Sequence, residues 1–176
     1  MTLDGFFEGA KWDLTWHQVD EEFNEFAITQ LNEIGTLLFG RATYEGMAGY
    51  WSSPDALKDD PIVAGLMNSI PKIVFSKTLD KAEWNNTRLI NDHAADEILK
   101  LKQQAGEDLA VFGSANLLSS LMRMDLIDEH RIIVNPVILG AGTPLFQING
   151  QLNLKLLKTR TFGNGNVLLC YETRGY

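Results

Sequence analysis

With 176 residues, 45% of them hydrophobic and 22% charged, the sequence is long enough for one sizeable core, and its composition excludes a disordered or collagen-like chain. Fifteen Lys and Arg against twenty-three Asp and Glu give a net charge of -8 without a basic run, which argues against nucleic acid as a partner but leaves room for a local anion pocket. No apolar stretch approaches the roughly 18 residues of a membrane-spanning helix, no basic-then-apolar leader opens the chain, and the lone Cys170 lies in an apolar run, so a core thiol, a reducing cytoplasmic setting and no membrane partner are expected.

Residues 1–16, with Gly5, Gly9 and several aromatics, read as a turn and an exposed loop carrying some packing. From Asp20 to Glu33, Phe23, Phe26, Ala27, Leu31 and then Ile34 recur at helical spacing behind an acidic first turn, predicting a helix that Gly35 stops. Thr36 to Phe39 is a short apolar run of the kind that forms a strand covered on both faces. A helix from Arg41 to about Gly49, a loop over Trp51 to Asp55, and a helix over about 60–69 ending before Pro71 follow. Lys72 to Phe75 and Thr87 to Ile90 are predicted strands, and Ala94 to Gln104 an amphipathic helix with Ile98, Leu99 and Leu101 inward. Leu109 to Phe112 repeats the buried-strand pattern, and after Gly113-Ser114 the residues Leu117, Leu118, Leu121 and Met122 share one helix face.

Arg131 to Leu139, Leu152 to Phe162 and Asn166 to Thr173 read as three strands without helices between them. The alternation of strands and helices, closed by strands alone, predicts a single α/β domain over residues 1–176. Its sheet is expected to be mainly parallel, with antiparallel C-terminal edge strands and helices on both faces.

Three short strands end at small or polar clusters: Gly40-Arg41-Ala42-Thr43, Ser76-Lys77-Thr78 and Gly113-Ser114-Ala115. In a parallel sheet these clusters share one rim, where strand ends form a crevice and helix starts aim unpaired N–H groups at anions. Gly40 and Gly113 admit close backbone approach, Arg41 can pair with a phosphate, Thr43 and Ser114 can donate hydroxyl hydrogen bonds, and Ser76, Lys77 and Thr78 suit another phosphate. Each cluster taken singly also fits a tight turn with helix-capping hydroxyls; their combination favours a ligand. The G-x-G-x-x-G and G-x-x-x-x-G-K-[ST] fingerprints are missing, so neither a standard Rossmann domain nor a P-loop is expected. His17, His93 and His130 lack metal-ligand spacing, Ser114 lacks a nucleophile-elbow context, and no metal is expected.

These motifs, in this order, resemble the dihydrofolate reductase-like fold, and more closely its branch related to the reductase domain of bacterial riboflavin biosynthesis. Thr2-Leu3-Asp4-Gly5-Phe6 is similar to the branch's S/T-L-D-G motif, and Gly40-Arg41-Ala42-Thr43-Tyr44 to its G-R-x-T-Y element. Val111-Phe112-Gly113-Ser114 resembles its pyrophosphate turn, and Pro136 to Phe146 its P-V-x-L-G-x-G-x-x-L-F stretch. Relatives place an apolar strand ahead of the L-D-G motif, whereas this sequence opens at Met1, so a leading strand is expected to be missing.

The resemblance implies a three-layer fold and NADPH as hydride donor to a small polar or planar substrate. Arg41 and Thr43 are then expected at the phosphates, Ser76 and Lys77 near the adenosine 2′-phosphate, and Gly113, Ser114 and Ala115 at the pyrophosphate. Asp4, Trp12, Trp16 and Glu129 are expected on the substrate side. Dihydrofolate reduction, with Glu21, Glu22 or Glu25 holding a pteridine, and nucleotide binding without catalysis are the alternatives. Relatives of this branch often pair, and the long final strands make a homodimer a candidate assembly.

Overall fold

The computed structural model describes residues 1–173, which carry nine strands and six α-helices. In chain order these are β1 (Phe6–Glu8), α1 (Glu21–Asn32), β2 (Ile34–Gly40), α2 (Arg41–Trp51), α3 (Pro54–Asp59), α4 (Pro61–Ser69), β3 (Lys72–Phe75) and β4 (Thr87–Ile90). They continue as α5 (Ala94–Lys102), β5 (Asp108–Val111), α6 (Ala115–Arg123), β6 (Glu129–Val134), β7 (Thr143–Pro144), β8 (Leu154–Thr161) and β9 (Val167–Thr173). Two compact units result, one of residues 25–117 and one of residues 1–24 with 118–173.

The unit of residues 25–117 is built on a four-stranded parallel sheet in the order β4-β3-β2-β5. Leu37 and Phe39 of β2 join a core of Leu31, Tyr44, Val63, Met67, Val74 and Trp84. Leu38, one residue out of phase, is buried as well, so both faces of the strand are covered. Gly40 pairs with Phe75, Phe75 with Ile90, and Leu38 with Val111, which brings the carboxyl ends of all four strands to one edge.

Several boundaries differ from the sequence reading for identifiable reasons. Gly35 does not cap α1; it lies inside β2, where a Cβ would stand 2.9 Å from the Cβ of Glu107, so the glycine serves a close approach of two chain segments. Trp51, expected in the loop, belongs to α2, and α3 begins within that loop at Pro54, behind a Ser53 side chain that accepts from the Ala56 N–H. Leu99 is 46% exposed rather than inward, because Ile98, one helical step of about 100° away, takes the buried position of α5.

A polar network closes this core. Trp84 N–H donates to the Tyr44 hydroxyl at 2.9 Å, and the Trp84 indole donates to Asn68 at 2.6 Å. The buried Lys72 ammonium donates to the carbonyls of Met67 (2.7 Å), Ile70 (2.6 Å) and Asn68 (3.3 Å), and stands 4.5 Å from the centre of the Trp84 ring. These are the last carbonyls around the end of α4, which a helix leaves without partners. Burial pushes the amine down to about 8, while the three carbonyls and the ring favour its charged form.

In the other unit, β6, β9 and β8 form an antiparallel sheet in that order, as expected of the C-terminal strands. The predicted strand from Arg131 stops at Val134 instead of Leu139. Beyond it the Asn135 N–H turns to the Met1 carbonyl, and Pro136 has no N–H to offer a ladder. The aromatic opening segment is more regular than expected: β1 pairs with β7, and Gly142 is required there because a Cβ would collide with the Glu8 carbonyl.

Replacing Lys72 with Met leaves three carbonyls near the end of α4 unpaired and should lower stability by about 1–3 kcal/mol. Urea unfolding monitored by Trp fluorescence checks this; an unchanged midpoint would show that water reaches those carbonyls.

Candidate functional site

All nine residues expected at phosphates lie in the unit of residues 25–117, and the register of β2, β3 and β5 brings their three clusters to one sheet edge. Gly40 ends β2 and precedes α2, Ser76-Lys77-Thr78 follows β3, and Gly113-Ser114 links β5 to Ala115, the first residue of α6. The clusters touch one another. Gly40 N–H donates to the Ser114 hydroxyl oxygen at 3.0 Å, and the Arg41 guanidinium donates to the Thr78 hydroxyl at 2.7 Å.

Gly40 has an ordinary extended backbone (φ -79°, ψ 160°), and a Cβ there would meet nothing nearer than Leu117 Cβ at 3.7 Å. Neither backbone strain nor packing demands glycine at this position. What the missing side chain does keep is a bare backbone at the rim, open to close approach. Gly40 also provides no side-chain cap for α2, whereas Ser53 and Asp60 cap α3 and α4. The first-turn N–H groups of α2 thus lack the side-chain acceptor that their counterparts have, which suits an incoming anion.

Gly113 and Ser114 both adopt left-handed conformations, at φ 55° and 58°. Glycine tolerates this and serine does so at a cost of roughly 1 kcal/mol. The conformation aims the buried Ser114 hydroxyl at Gly40, and because its oxygen accepts there, its hydrogen remains available to a ligand. Ser76 is held differently: its oxygen accepts from the N–H groups of Thr78 (3.2 Å) and Leu79 (3.0 Å), fixing the turn after β3. Thr43 lies half-buried in the first turn of α2.

Both rim cations have acidic neighbours. Arg41 Nε donates to Glu45 at 2.8 Å, and Lys77 Nζ stands 3.6 Å from Asp92, two residues beyond β4. Asn91 joins this corner, its amide donating to the Ser76 carbonyl at 3.1 Å. Asn91 and Asp92 were not singled out in the sequence; the signal that could have found them is their position directly after a fourth parallel strand, Thr87 to Ile90.

The residues expected on the substrate side belong to the other unit. The exposed Asp4 carboxylate accepts from the Thr2 hydroxyl (2.7 Å) and from the N–H groups of Gly140 (2.8 Å) and Leu139 (3.3 Å). The Thr2 hydroxyl first, and then the Gly140 N–H, hold it below the usual carboxylate range. Asp4 therefore ties the L-D-G motif to the P-V-I-L-G-A-G stretch. Trp12 is 56% exposed on a left-handed backbone (φ 67°), Trp16 donates its indole N–H to the Asp13 carbonyl at 3.0 Å, and Glu129 pairs with Arg131 at 2.8 Å. Of the acids offered for a pteridine, Glu22 accepts from the Gly163 N–H (2.8 Å) and from Arg160 (2.9 Å), which, in that order, hold its carboxyl below the usual range. Among the described residues no three His, Cys, Asp or Glu gather in a metal-binding group, and no helix is long and apolar enough to cross a membrane.

A parallel sheet with glycine-bearing turns along its carboxyl rim, followed by antiparallel C-terminal strands, defines the dihydrofolate reductase-like class of the riboflavin reductases. Residues 1–168 match the RibD C-terminal domain, and the chain belongs to that family. Uncharacterized protein YyaP of Bacillus subtilis (strain 168) is 35% identical over 178 residues, covering 99% of this chain and 92% of its own length. Among solved structures, a putative riboflavin biosynthesis protein from Shewanella sp. PV-4 has a TM-score of 0.77 at 21% identity, over 99% of this chain and 96% of its own. The riboflavin biosynthesis reductase Rib7 of Saccharomyces cerevisiae has a TM-score of 0.61 at 17% identity, over 99% and 86%. At these identities the structures share the fold.

The hydroxyl and the backbone of Ser114 act in opposite directions, which two substitutions separate. Ser114→Ala loses the acceptor for Gly40 N–H and keeps the left-handed penalty, whereas Ser114→Gly loses the acceptor alone. Chemical denaturation should place Ser114→Ala about 1 kcal/mol below Ser114→Gly.

Proposed function

We propose that the protein is a cytoplasmic reductase that binds NADPH along the β2, β3 and β5 rim and reduces a small polar or planar substrate. The observation that carries this reading is the joined rim: an α2 start without a side-chain cap beside Arg41, linked through Gly40 to the left-handed Gly113-Ser114 turn. Family membership supports oxidoreductase chemistry, and the buried lone Cys170 suits a reducing compartment.

When bound, the nicotinamide supplies the hydride; this chain's own residues bind and orient. Arg41 and the first-turn N–H groups of α2 take one phosphate, and exchanging Glu45 for a phosphate as partner keeps the guanidinium paired. The Gly113 turn, the Ser114 hydroxyl and Ala115 at the start of α6 take the pyrophosphate. Lys77, with Ser76 and Thr78 beside it, takes the 2′-phosphate. Trp12 and Glu129 are the proposed substrate contacts, and Asp4 fixes the turn around Gly140.

Titration with NADPH and NADH, followed by nicotinamide fluorescence, tests the cofactor, and oxidation of bound NADPH by candidate substrates separates a reductase from a non-catalytic nucleotide binder. Arg41→Ala should weaken NADPH about ten- to hundredfold, the scale of a charge-assisted hydrogen bond. An unchanged affinity would refute the phosphate assignment. Lys77→Ala should weaken NADPH more than NADH.

We also propose that two copies associate through β8. This edge strand has every residue from Lys155 to Thr161 exposed, including Leu156 at 51% and Leu157 at 44%. Analytical ultracentrifugation should find a dimer that Leu156→Glu converts to monomer; a monomeric parent protein rules the assembly out.

A further inference from the structure

Phe75 of β3 is in register with Ile90 of β4, and the ion pair beyond them repeats that register, since Lys77 and Asp92 each lie two residues past the paired position. Asp92 Oδ1 stands 3.6 Å from Lys77 Nζ and also accepts from the His93 N–H at 2.9 Å. That N–H, followed by Lys77 and then the His93 ring, holds the Asp92 carboxyl below its usual range. Beside the pair lies an open hollow of about 420 Å³ lined by Ile90, Asp92, His93, Asp96, Glu97 and Lys100. Glu97 is paired with Arg88 at 2.6 Å, and Asp96 lies 3.6 Å from the His93 ring. This end of the rim is therefore mixed in sign, and Lys77 is shared with a fixed carboxylate.

Resting on the dinucleotide reading above, we propose that Asp92, by holding Lys77, sets the choice between 2′-phosphorylated and unphosphorylated dinucleotides, so that the protein accepts both NADPH and NADH. A 2′-phosphate must take Lys77 from Asp92. An unphosphorylated ribose leaves the pair intact. Asp92 thus handicaps NADPH and spares NADH. Asp92 is a positioning residue here, acting on the ligand through Lys77. Because both partners are exposed, the effect is modest and falls as salt rises.

The test is fluorescence titration of the full chain with NADPH and NADH at low and at high salt. Asp92→Asn keeps an acceptor for the His93 N–H while removing the charge. It should raise NADPH affinity relative to NADH about two- to fivefold at low salt, with a smaller gain at high salt. Asp92→Glu should keep the parent ratio, and Asp92→Asn should lose its effect when Lys77 is Ala. If both dinucleotides bind but Asp92→Asn leaves their ratio unchanged, or shifts it equally without Lys77, this inference fails and the dinucleotide reading stands. If the parent protein binds neither dinucleotide, that reading falls and takes the inference with it.

Discussion

The hydrogen bond from Gly40 N–H to the Ser114 hydroxyl is the contact on which the candidate site depends. It joins the ends of two adjacent parallel strands at the point where each turns into a helix. Register alone brings Leu38 beside Val111, but it does not fix how the chain leaves the sheet after either strand. Ser114 fixes that on the β5 side by holding a left-handed backbone that serine ordinarily avoids. A left-handed serine three residues past a half-buried strand is hard to explain as packing alone. The proposed function gives it a reason, since two helix starts would then face one ligand.

Under the proposed function, the same rim reconciles an acidic protein with an anionic ligand. Its cations are few and do not stand unpartnered: Arg41 is tied to Glu45 and Thr78, and Lys77 to Asp92. A net charge of -8 would repel a distant polyanion, but binding at short range is governed by local exchange of partners. A phosphate that replaces a carboxylate on an arginine inherits a preoriented donor. Where the carboxylate is itself anchored, as Asp92 is by the His93 N–H, the exchange is less favourable. Under the proposed function, the two ends of the rim would therefore differ in how readily they receive phosphate.

Outside the rim, the structure shows contacts that the sequence had not assigned, including for Asp4, which was expected on the substrate side. Asp4 is a clamp between two distant stretches, and its carboxylate spends its acceptor capacity on Thr2, Leu139 and Gly140. Gly35 and Gly142 are steric necessities between neighbouring segments, while Gly40 is not. That contrast separates glycines required by the fold from the one that leaves the rim bare. The Lys72 cluster shows a buried cation used in place of a conventional helix cap, with Trp84 and Asn68 completing the set.

The sequence by itself determined the parallel strands and most of the helices. Short apolar runs such as Leu37 to Phe39 can be stable only when covered on both faces, and the amphipathic period of α1 and α5 is a property of local spacing. It also determined the three clusters at the strand ends, because small and polar residues interrupt the apolar pattern there, and motif order identified the family. Only the tertiary structure decided the rest. It ended β6 at Val134, made Gly35 part of a strand, paired β1 with β7, and set Asp92 against Lys77 and Ser114 against Gly40. Each of these depends on a partner distant in sequence, and neither local propensity nor spacing carries information about which distant residue that partner is.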